Sequence, residues 1–483
     1  MDKSKNIFGN EMPSKVYNKA VKSKNKFIKK FGDDTNTVYN LGIKDIPVLS
    51  PLNTKNFVIT DTPLEMKDEK GLIVGNIRMG FGHYRISMAI ASAAHAMGYN
   101  PYWLDLNSFN QTTGGKIIAH SNDLYSLGSR ISQKSFLFNK FVWEPMNSEG
   151  FRKLSYNAVD QKNAELMTSV FKQIPKDMPY IATHVWPAQA AIHADMKKVV
   201  NVIPDNWPMA LHLSEGAIHT VQTPSSYLGY RMLKGMDGNK ILKPMPQDSL
   251  YEVGHYIDHE LVVNLEDDCN KRLERVKNKK AKRFLLTVGG AGAQKEIFAE
   301  IIRKLIPLIR KNEAVLYLNV GDHMDVYNGL VSEIPELSDM TATHFNDWNE
   351  TKSFAEKALD EDVSGIHAFC FEDIFAAVYA TNLLMRSCDV LVTKPSELAF
   401  YPVPKLMIKR VGGHEKWAAI TAAELGDGTI ECDTKELTTQ MIDLMLADGA
   451  ILTMMNNKII DNNKIGIYNG AYNAVKLAVN GKL

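Results

Sequence analysis

Three short segments bring together residue types that could handle a proton and a phosphate. The first is Gly71-Leu-Ile-Val-Gly-Asn-Ile-Arg-Met-Gly80-Phe-Gly82-His83-Tyr-Arg85, an apolar run and a glycine turn, followed by Ile86–Met97 with small residues on one face. That order puts His83 at the carboxyl end of a strand, where parallel α/β sheets bind ligands. An imidazole there suits general base catalysis, and a histidine that only caps the helix is the plainer alternative. The second segment is Gly289-Gly290-Ala291-Gly292-Ala293-Gln294-Lys295. It again joins a strand to a helix, whose free N–H groups and dipole favour a phosphate, although a simple tight turn would read the same way. The third is Thr393-Lys394-Pro395-Ser396-Glu397, which passes through one more strand into Gly412-Gly413-His414-Glu415. Two helix N-termini and a carboxylate at one sheet edge would suit a diphosphate and a ribose diol; Glu397 as a helix-dipole partner is the simpler role.

Several chemistries are excluded by the same residues. Arg85 stands where a dinucleotide fingerprint needs its third glycine, and the second segment lacks the Gly-Lys-Ser/Thr of an ATP-hydrolysing loop. Asp360-Glu361-Asp362 has a DxD-like spacing but lies in an acidic loop and reads as solvated charge, so no metal is expected. Cys269, Cys370, Cys388 and Cys432 show no CxxC or Cys/His spacing, which argues against a disulfide framework or a zinc site and fits a reducing, cytoplasmic setting.

Positioning these segments requires strands with crossover helices. Candidate strands are Asn56–Thr60, Gly71–Ile77, Tyr102–Leu106, Tyr180–Thr183, Val199–Ile203 and Ala217–Gln222. A charge-dense stretch, Glu266–Ala281, follows. The pattern then restarts with Arg283–Val288, a helix of about 18 residues from near Ala293, and Ala314–Val320, Gly365–Phe369, Asp389–Thr393, Pro404–Lys409 and Gly428–Glu431. The expectation is an α/β protein of two Rossmann-like domains. Residues 1–55 form a basic arm, 56–262 the first domain, 263–450 the second, and 451–483 a helix that crosses back. The stretch Asp322–Val363 shows no period and is expected to be an insertion or lid.

Length agrees with two domains, because a single core stops growing at roughly 250–300 residues and this chain has 483. Its 56 Lys+Arg against 55 Asp+Glu give a net charge of +1, and 45% of its residues are hydrophobic. Those values exclude a globally basic nucleic-acid binder and a disordered chain. No apolar run reaches about 18 residues and the N-terminus has no secretory h-region, so a soluble or peripheral protein is expected. Residues 1–30 hold nine Lys against Asp2 and Glu11, and Ser14–Phe31 interleaves apolar residues with that charge. Such a segment could rest on an anionic membrane surface, or be a solvated helix face.

The order of the motifs resembles the GT-B glycosyltransferases of the monogalactosyldiacylglycerol synthase and processive diacylglycerol glucosyltransferase group, and more distantly the lipid II-forming GlcNAc transferase. Gly80-Phe-Gly82-His83 matches the glycine-histidine loop that opens their acceptor domain. Thr183-His184-Val-Trp186-Pro187 is similar to their Thr-His-Pro segment, and Val202-Ile203-Pro204-Asp205, followed by Asn206-Trp207, to their Val-Val-Thr-Asp strand end. Gly289–Gly292, Thr393-Lys394-Pro395-Ser396 and Gly412-Gly413-His414-Glu415 match the donor-side motifs, except that about four residues are missing before Glu397.

The resemblance implies a GT-B-like fold, two parallel-sheet domains facing across a cleft. It also implies inverting transfer of a sugar from a nucleotide-diphosphate donor to an acceptor hydroxyl, without a metal. In that reading His83 is the base and Asp205 or His184 orients it. Gly289, Gly290, Gly292 and Gly413, with Lys295 or Lys394, hold the diphosphate. Glu397 takes the ribose hydroxyls, the backbone around Phe369 and Phe371 meets the nucleobase, and Ser396, His414 and Glu415 complete the donor side. Gly80, Gly82, Arg85 and Trp207 lie toward the acceptor, whose identity stays open with lipids among the candidates. A sugar-nucleotide epimerase, which would need further carboxylates in the cleft, and a non-catalytic nucleotide-sugar-binding protein are the alternatives.

Overall fold

The computed structural model describes residues 2–62, 65–134, 149–289 and 294–483, with side chains described except at 125–130 and 132–134. The first domain opens with the hairpin β1 (Asn6–Ile7) and β2 (Asn10–Glu11), helix α1 (Ser14–Phe31), β3 (Leu41–Asp45) and β4 (Lys55–Ile59). Then come β5 (Gly71–Asn76), α2 (Gly82–Ala96), β6 (Asn100–Asp105), α3 (Thr113–Lys134), α4 (Leu154–Ala164), β7 (Tyr180–Ala182), α5 (Val185–His193) and β8 (Val199–Val202). β9 (Ile218–Val221), α6 (Pro224–Arg231), β10 (Met236–Asn239) and β11 (Leu250–Glu252) complete it. Eight of these strands form one sheet in the order β11-β9-β8-β7-β5-β6-β4-β3, parallel except that β3 runs antiparallel to β4. Every residue of β5, β7 and β8 is buried, as expected of strands covered on both faces.

Residues 1–55 are therefore not an arm. Their β3 extends the sheet, and the apolar side of α1, including Ala20, Phe27, Ile28 and Phe31, is packed on the domain. Sequence periodicity missed β3 because an edge strand of Leu-Gly-Ile-Lys-Asp is half polar.

Helices α7 (His259–Val263) and α8 (Leu265–Lys277) lead into the second domain. The charge-dense stretch Glu266–Ala281 is thus largely helical. It continues with β12 (Lys282–Thr287), α9 (Lys295–Arg310), β13 (Ala314–Asn319), α10 (Met324–Glu333), α11 (Leu337–Met340), β14 (Thr341–Phe345), α12 (Trp348–Lys357), β15 (Ile366–Cys370), α13 (Ile374–Ser387), β16 (Val390–Thr393) and β17 (Lys405–Met407). α14 (Lys416–Leu425), α15 (Lys435–Ala447), α16 (Ala450–Lys464) and α17 (Gly470–Asn480) finish the chain. The six-stranded sheet is wholly parallel, in the order β14-β15-β13-β12-β16-β17.

Three further expectations change here. Residues 322–363 are no lid: they are regular α/β units whose β14 pairs in parallel with β15 at the sheet edge. Gly428–Glu431 is not a strand, and only isolated bridges tie Gly428 and Cys432 to the β17 region. The return to the first domain begins later than Ile451. α16 still packs its Leu452 and Met455 in the second-domain core, whereas α17 buries Ala471, Ala474, Val475 and Ala478 against α2 and the first sheet. Two doubly wound domains facing each other, with the last helix returned to the first, make the GT-B-like arrangement.

Candidate functional site

In the first sheet the neighbours β5 and β7 send their next connections to opposite sides, to β6 and β8, and in the second β12 and β16 do so, to β13 and β17. Ligands of doubly wound sheets bind at such switch points. His83 and His184 follow β5 and β7; Gly289 and Lys394 follow β12 and β16. The two switch points open onto one cleft of about 730 Å³.

On the first-domain wall, Gly80 turns the chain with φ +73°, a left-handed conformation suited to glycine, and α2 begins at Gly82. His83 Nδ1 lies 2.6 Å from the Thr183 carbonyl, which can only accept, so Nδ1 carries the proton and Nε2 keeps its lone pair. Burial pushes the imidazole below the ordinary histidine range, so the ring is neutral at neutral pH. The orienting group is therefore this carbonyl, and neither Asp205 nor His184 makes that bond. His184 is the N-cap of α5: its Nδ1 accepts from the Trp186 N–H at 3.2 Å, and its ring meets His83 edge-on at 4.8 Å. Burial and the neighbouring rings hold it well below the usual range, which leaves it a cap rather than a proton carrier.

Asp205 pairs instead with His212, Oδ2 to Nε2 at 3.3 Å, and His212 Nδ1 lies 2.7 Å from the Tyr230 hydroxyl. Burial alone would raise the Asp205 carboxyl, but the His212 bond and the rings of His414 and His83 outweigh it and keep the group ionised. His212 escaped sequence reading because nothing local marks it; only the fold brings it to Asp205, seven residues earlier.

The opposite wall carries Thr287, Gly289, Gln294, Lys394, Ser396, Glu397, Gly412 and His414. Gly290 and Gly292 lie outside the described residues. Lys394 contacts the Glu415 carboxylate, whose Oε2 also accepts the N–H groups of Val411 at 2.7 Å and Gly412 at 3.2 Å. Burial would lower the Lys394 ammonium, but Glu415 and Glu397 hold it above its ordinary value. Glu415 is thus a loop brace. Glu397 reaches across the cleft. Its Oε2 lies where a Cβ on Gly82 would be only 3.1 Å away, and its Oε1 is 3.8 Å from Arg85 Nε. It does face a helix N-terminus, but that of α2 in the other domain.

Other expected site residues lie elsewhere. Arg85 lines the cleft yet is only 2% exposed, and it spends its guanidinium on α13 of the second domain: Nη1 to Asn382 Oδ1 at 2.7 Å and Val378 O at 3.4 Å, Nη2 to Thr381 Oγ1 at 3.4 Å. It pins the domains together. Trp207 is stacked on Trp417 of α14 at 6.1 Å, beneath the Arg152 guanidinium, outside the cleft lining. Lys295 points to Glu333 on α10, 3.7 Å away. Phe369 and Phe371 are core side chains, and the backbone between them is occupied: Val320 N–H donates to Phe369 O, and Phe371 N–H to Gly321 O. Gly413 sits just behind the lining residue Gly412. Beside Gly321, the Phe81 ring crosses from the first domain, so close that a Cβ there would lie 2.6 Å from it. Asn319, Thr381 and His323 also face the cleft without having been marked by the sequence. Among the described residues no group of three or more His, Cys, Asp or Glu is placed to hold a metal.

Residues 6–232 match a family model described as "Domain of unknown function (DUF6937)", and residues 245–479 one described as "Domain of unknown function (DUF6938)". No curated protein matches the sequence. Among solved structures, a UDP-GlcNAc 2-epimerase from Neisseria meningitidis bound to UDP-GlcNAc is similar at 13% identity and TM-score 0.45, over 85% of this chain and 99% of that one. An alpha,alpha-trehalose 6-phosphate synthase from Burkholderia multivorans is similar at 11% and 0.42, over 85% and 98%. A glycosyltransferase from Rickettsia africae is similar at 13% and 0.38, over 85% and 96%. Among the described residues no helix is long and apolar enough to cross a membrane.

Proposed function

We propose that the protein transfers a sugar from a nucleotide-diphosphate donor to an acceptor hydroxyl within this cleft. One observation carries the reading. A neutral histidine, with its tautomer fixed by the Thr183 carbonyl, opens its Nε2 lone pair to a cleft whose far wall is built from the strand ends and helix starts of a second doubly wound domain. In the reaction His83 Nε2 takes the acceptor hydroxyl proton as that oxygen bonds to the anomeric carbon. The bond from that carbon to the diphosphate oxygen breaks, and the oxygen leaves with the electron pair. The Gly289 and Gly413 amides, with the Lys394 ammonium, stabilise the leaving charge. Ser396 and His414 complete the donor side. The narrower likeness to diacylglycerol glycosyltransferases rests on its motifs alone, so the acceptor is left unspecified.

Epimerisation, the alternative, needs a free base to remove a carbon-bound proton. Among the described residues three carboxylates line the cleft: Asp205 is paired with His212 and Glu415 is bonded by Lys394 and two backbone amides, whereas Glu397 has the Arg85 ion pair at 3.8 Å and is the group such a base would have to be.

The test is a melting screen against UDP-, GDP-, ADP- and dTDP-sugars, followed by turnover with the hit. A donor at 100 times its Kd adds about 2.7 kcal/mol, or a rise of about 3 °C for this length of chain. His83→Ala should retain that rise while turnover falls about 10²–10⁴-fold, because a base acts only in the transition state. A protein whose melting responds to none of these nucleotides would overturn the reading.

A further inference from the structure

The surface of α1 is unlike the rest of a chain whose net charge is only +1. Lys15, Lys19, Lys22, Lys26 and Lys29 recur at alternating steps of four and three, which places them on one helix face, and all five are exposed. At 1.5 Å per residue the row extends about 21 Å. The helix contains no acidic residue and no arginine. Its remaining lysines are engaged: Lys24 pairs with Glu165 at 2.6 Å, and Lys30 lies beside His120. None of the five in the row takes part in an ion pair among the described residues. The acidic residues against the helix are bonded away from the row, Asp2 by Tyr17 and Lys162 and Glu165 by Lys24 and Lys162. Glu11 precedes the helix, and after it Asp33 turns to Thr35 and Asp34 to Tyr39 and Thr113.

We propose that this lysine row is a docking surface for an anionic lipid bilayer. A straight line of compact ammonium charges complements a flat field of lipid phosphates, each lysine near such a surface contributing independently. Insertion of an apolar helix face is not available, because Ala20, Phe27, Ile28 and Phe31 face the first-domain core. Contact is therefore electrostatic only: reversible, selective for anionic over neutral lipid, and weakened by salt. A nucleic acid is the less suitable polyanion, since the face offers neither the arginine fork for phosphates nor an exposed ring on which bases could stack.

The experiment is vesicle flotation of the full-length protein with phosphatidylcholine alone or mixed with phosphatidylglycerol. The protein should float with the anionic vesicles only and be released as salt rises. At about fivefold per lysine, replacing all five by glutamine should lower partitioning on the order of 10³-fold, and replacing them by arginine should preserve it. Should the fivefold variant fail to fold, Lys22→Gln and Lys26→Gln singly should each show the fivefold loss. The proposal is overturned if the folded protein ignores anionic vesicles, if glutamine variants float like the parent, or if duplex DNA or RNA is bound more tightly than the vesicles. None of these outcomes bears on the chemistry of the cleft.

Discussion

Replacing Arg85 tests whether this residue serves the domain junction or the acceptor. Its guanidinium is 2% exposed and reaches Asn382 at 2.7 Å, a charge-assisted bond worth about 1.5–3 kcal/mol. The contacts at 3.4 Å to Val378 and Thr381 lie at the edge of bonding and add little. The two stem methylenes that alanine lacks, at about 0.8 kcal/mol each, contribute about 1.6 kcal/mol more. Arg85→Ala should therefore cost roughly 4 kcal/mol. Unfolding entropy is about 2.1 cal/mol/K per residue, or about 1 kcal/mol/K over the whole chain, so the melting temperature falls about 4 °C, and about 8 °C if only one half melts. Arg85→Met keeps the stem and loses the bonds, and should show about half the effect. Differential scanning calorimetry measures both, and also whether one transition divides into two as the domains uncouple. If both variants melt within 1 °C of the parent, Arg85 is no pin, and its expected place on the acceptor side returns.

The remaining tests are simpler. Asp258 accepts from Asn382 and Tyr401 at the same junction, and burial with the nearby Glu260 pushes its carboxyl up to about 7. A carboxyl raised in the folded state stabilises most below its unfolded value near 4 and loses that contribution as pH rises to about 7. Denaturant unfolding of Asp258→Asn against the parent should thus differ by about 2–4 kcal/mol more at one end of this window than at the other; parallel curves would refute the shift. A Cβ on Gly75 would lie 2.0 Å from the Tyr180 hydroxyl and 2.3 Å from the ring carbon that bears it, so Gly75→Ala should cost at least about 3 kcal/mol, and Tyr180→Phe, which keeps that carbon, should recover little of it. Tyr180→Phe alone should be close to neutral, because that hydroxyl has no partner among the described residues; full recovery in the double variant would place the conflict at the hydroxyl alone. Finally, the acid limb of kcat/KM should fall below pH 6.5, since burial lowers His83, and a limb at or above that value would assign it to another group.

The sequence by itself determined the local grammar: buried strands that end in glycine turns ahead of helices, hence two doubly wound domains and the presence of His83, Gly289 and Lys394 at strand ends. Strand β5 could be read because both its faces are buried and its residues are nearly all apolar. β3 and β14 could not, because an edge strand carries polar residues that erase the period, and so residues 1–55 looked like an arm and 322–363 like an insertion or a lid. Partnership was decided only by tertiary structure. Arg85, Glu397 and Asp205 stand in motifs that mark them as ligand residues, yet Arg85 is bonded to Asn382 of the facing domain, Glu397 lies 3.8 Å from Arg85 across the cleft, and Asp205 is paired with His212 of its own domain. A buried charge must find such a partner, and for the first two which one it finds depends on how two separately legible domains are set against each other. That relative placement leaves no pattern in either domain's own residues.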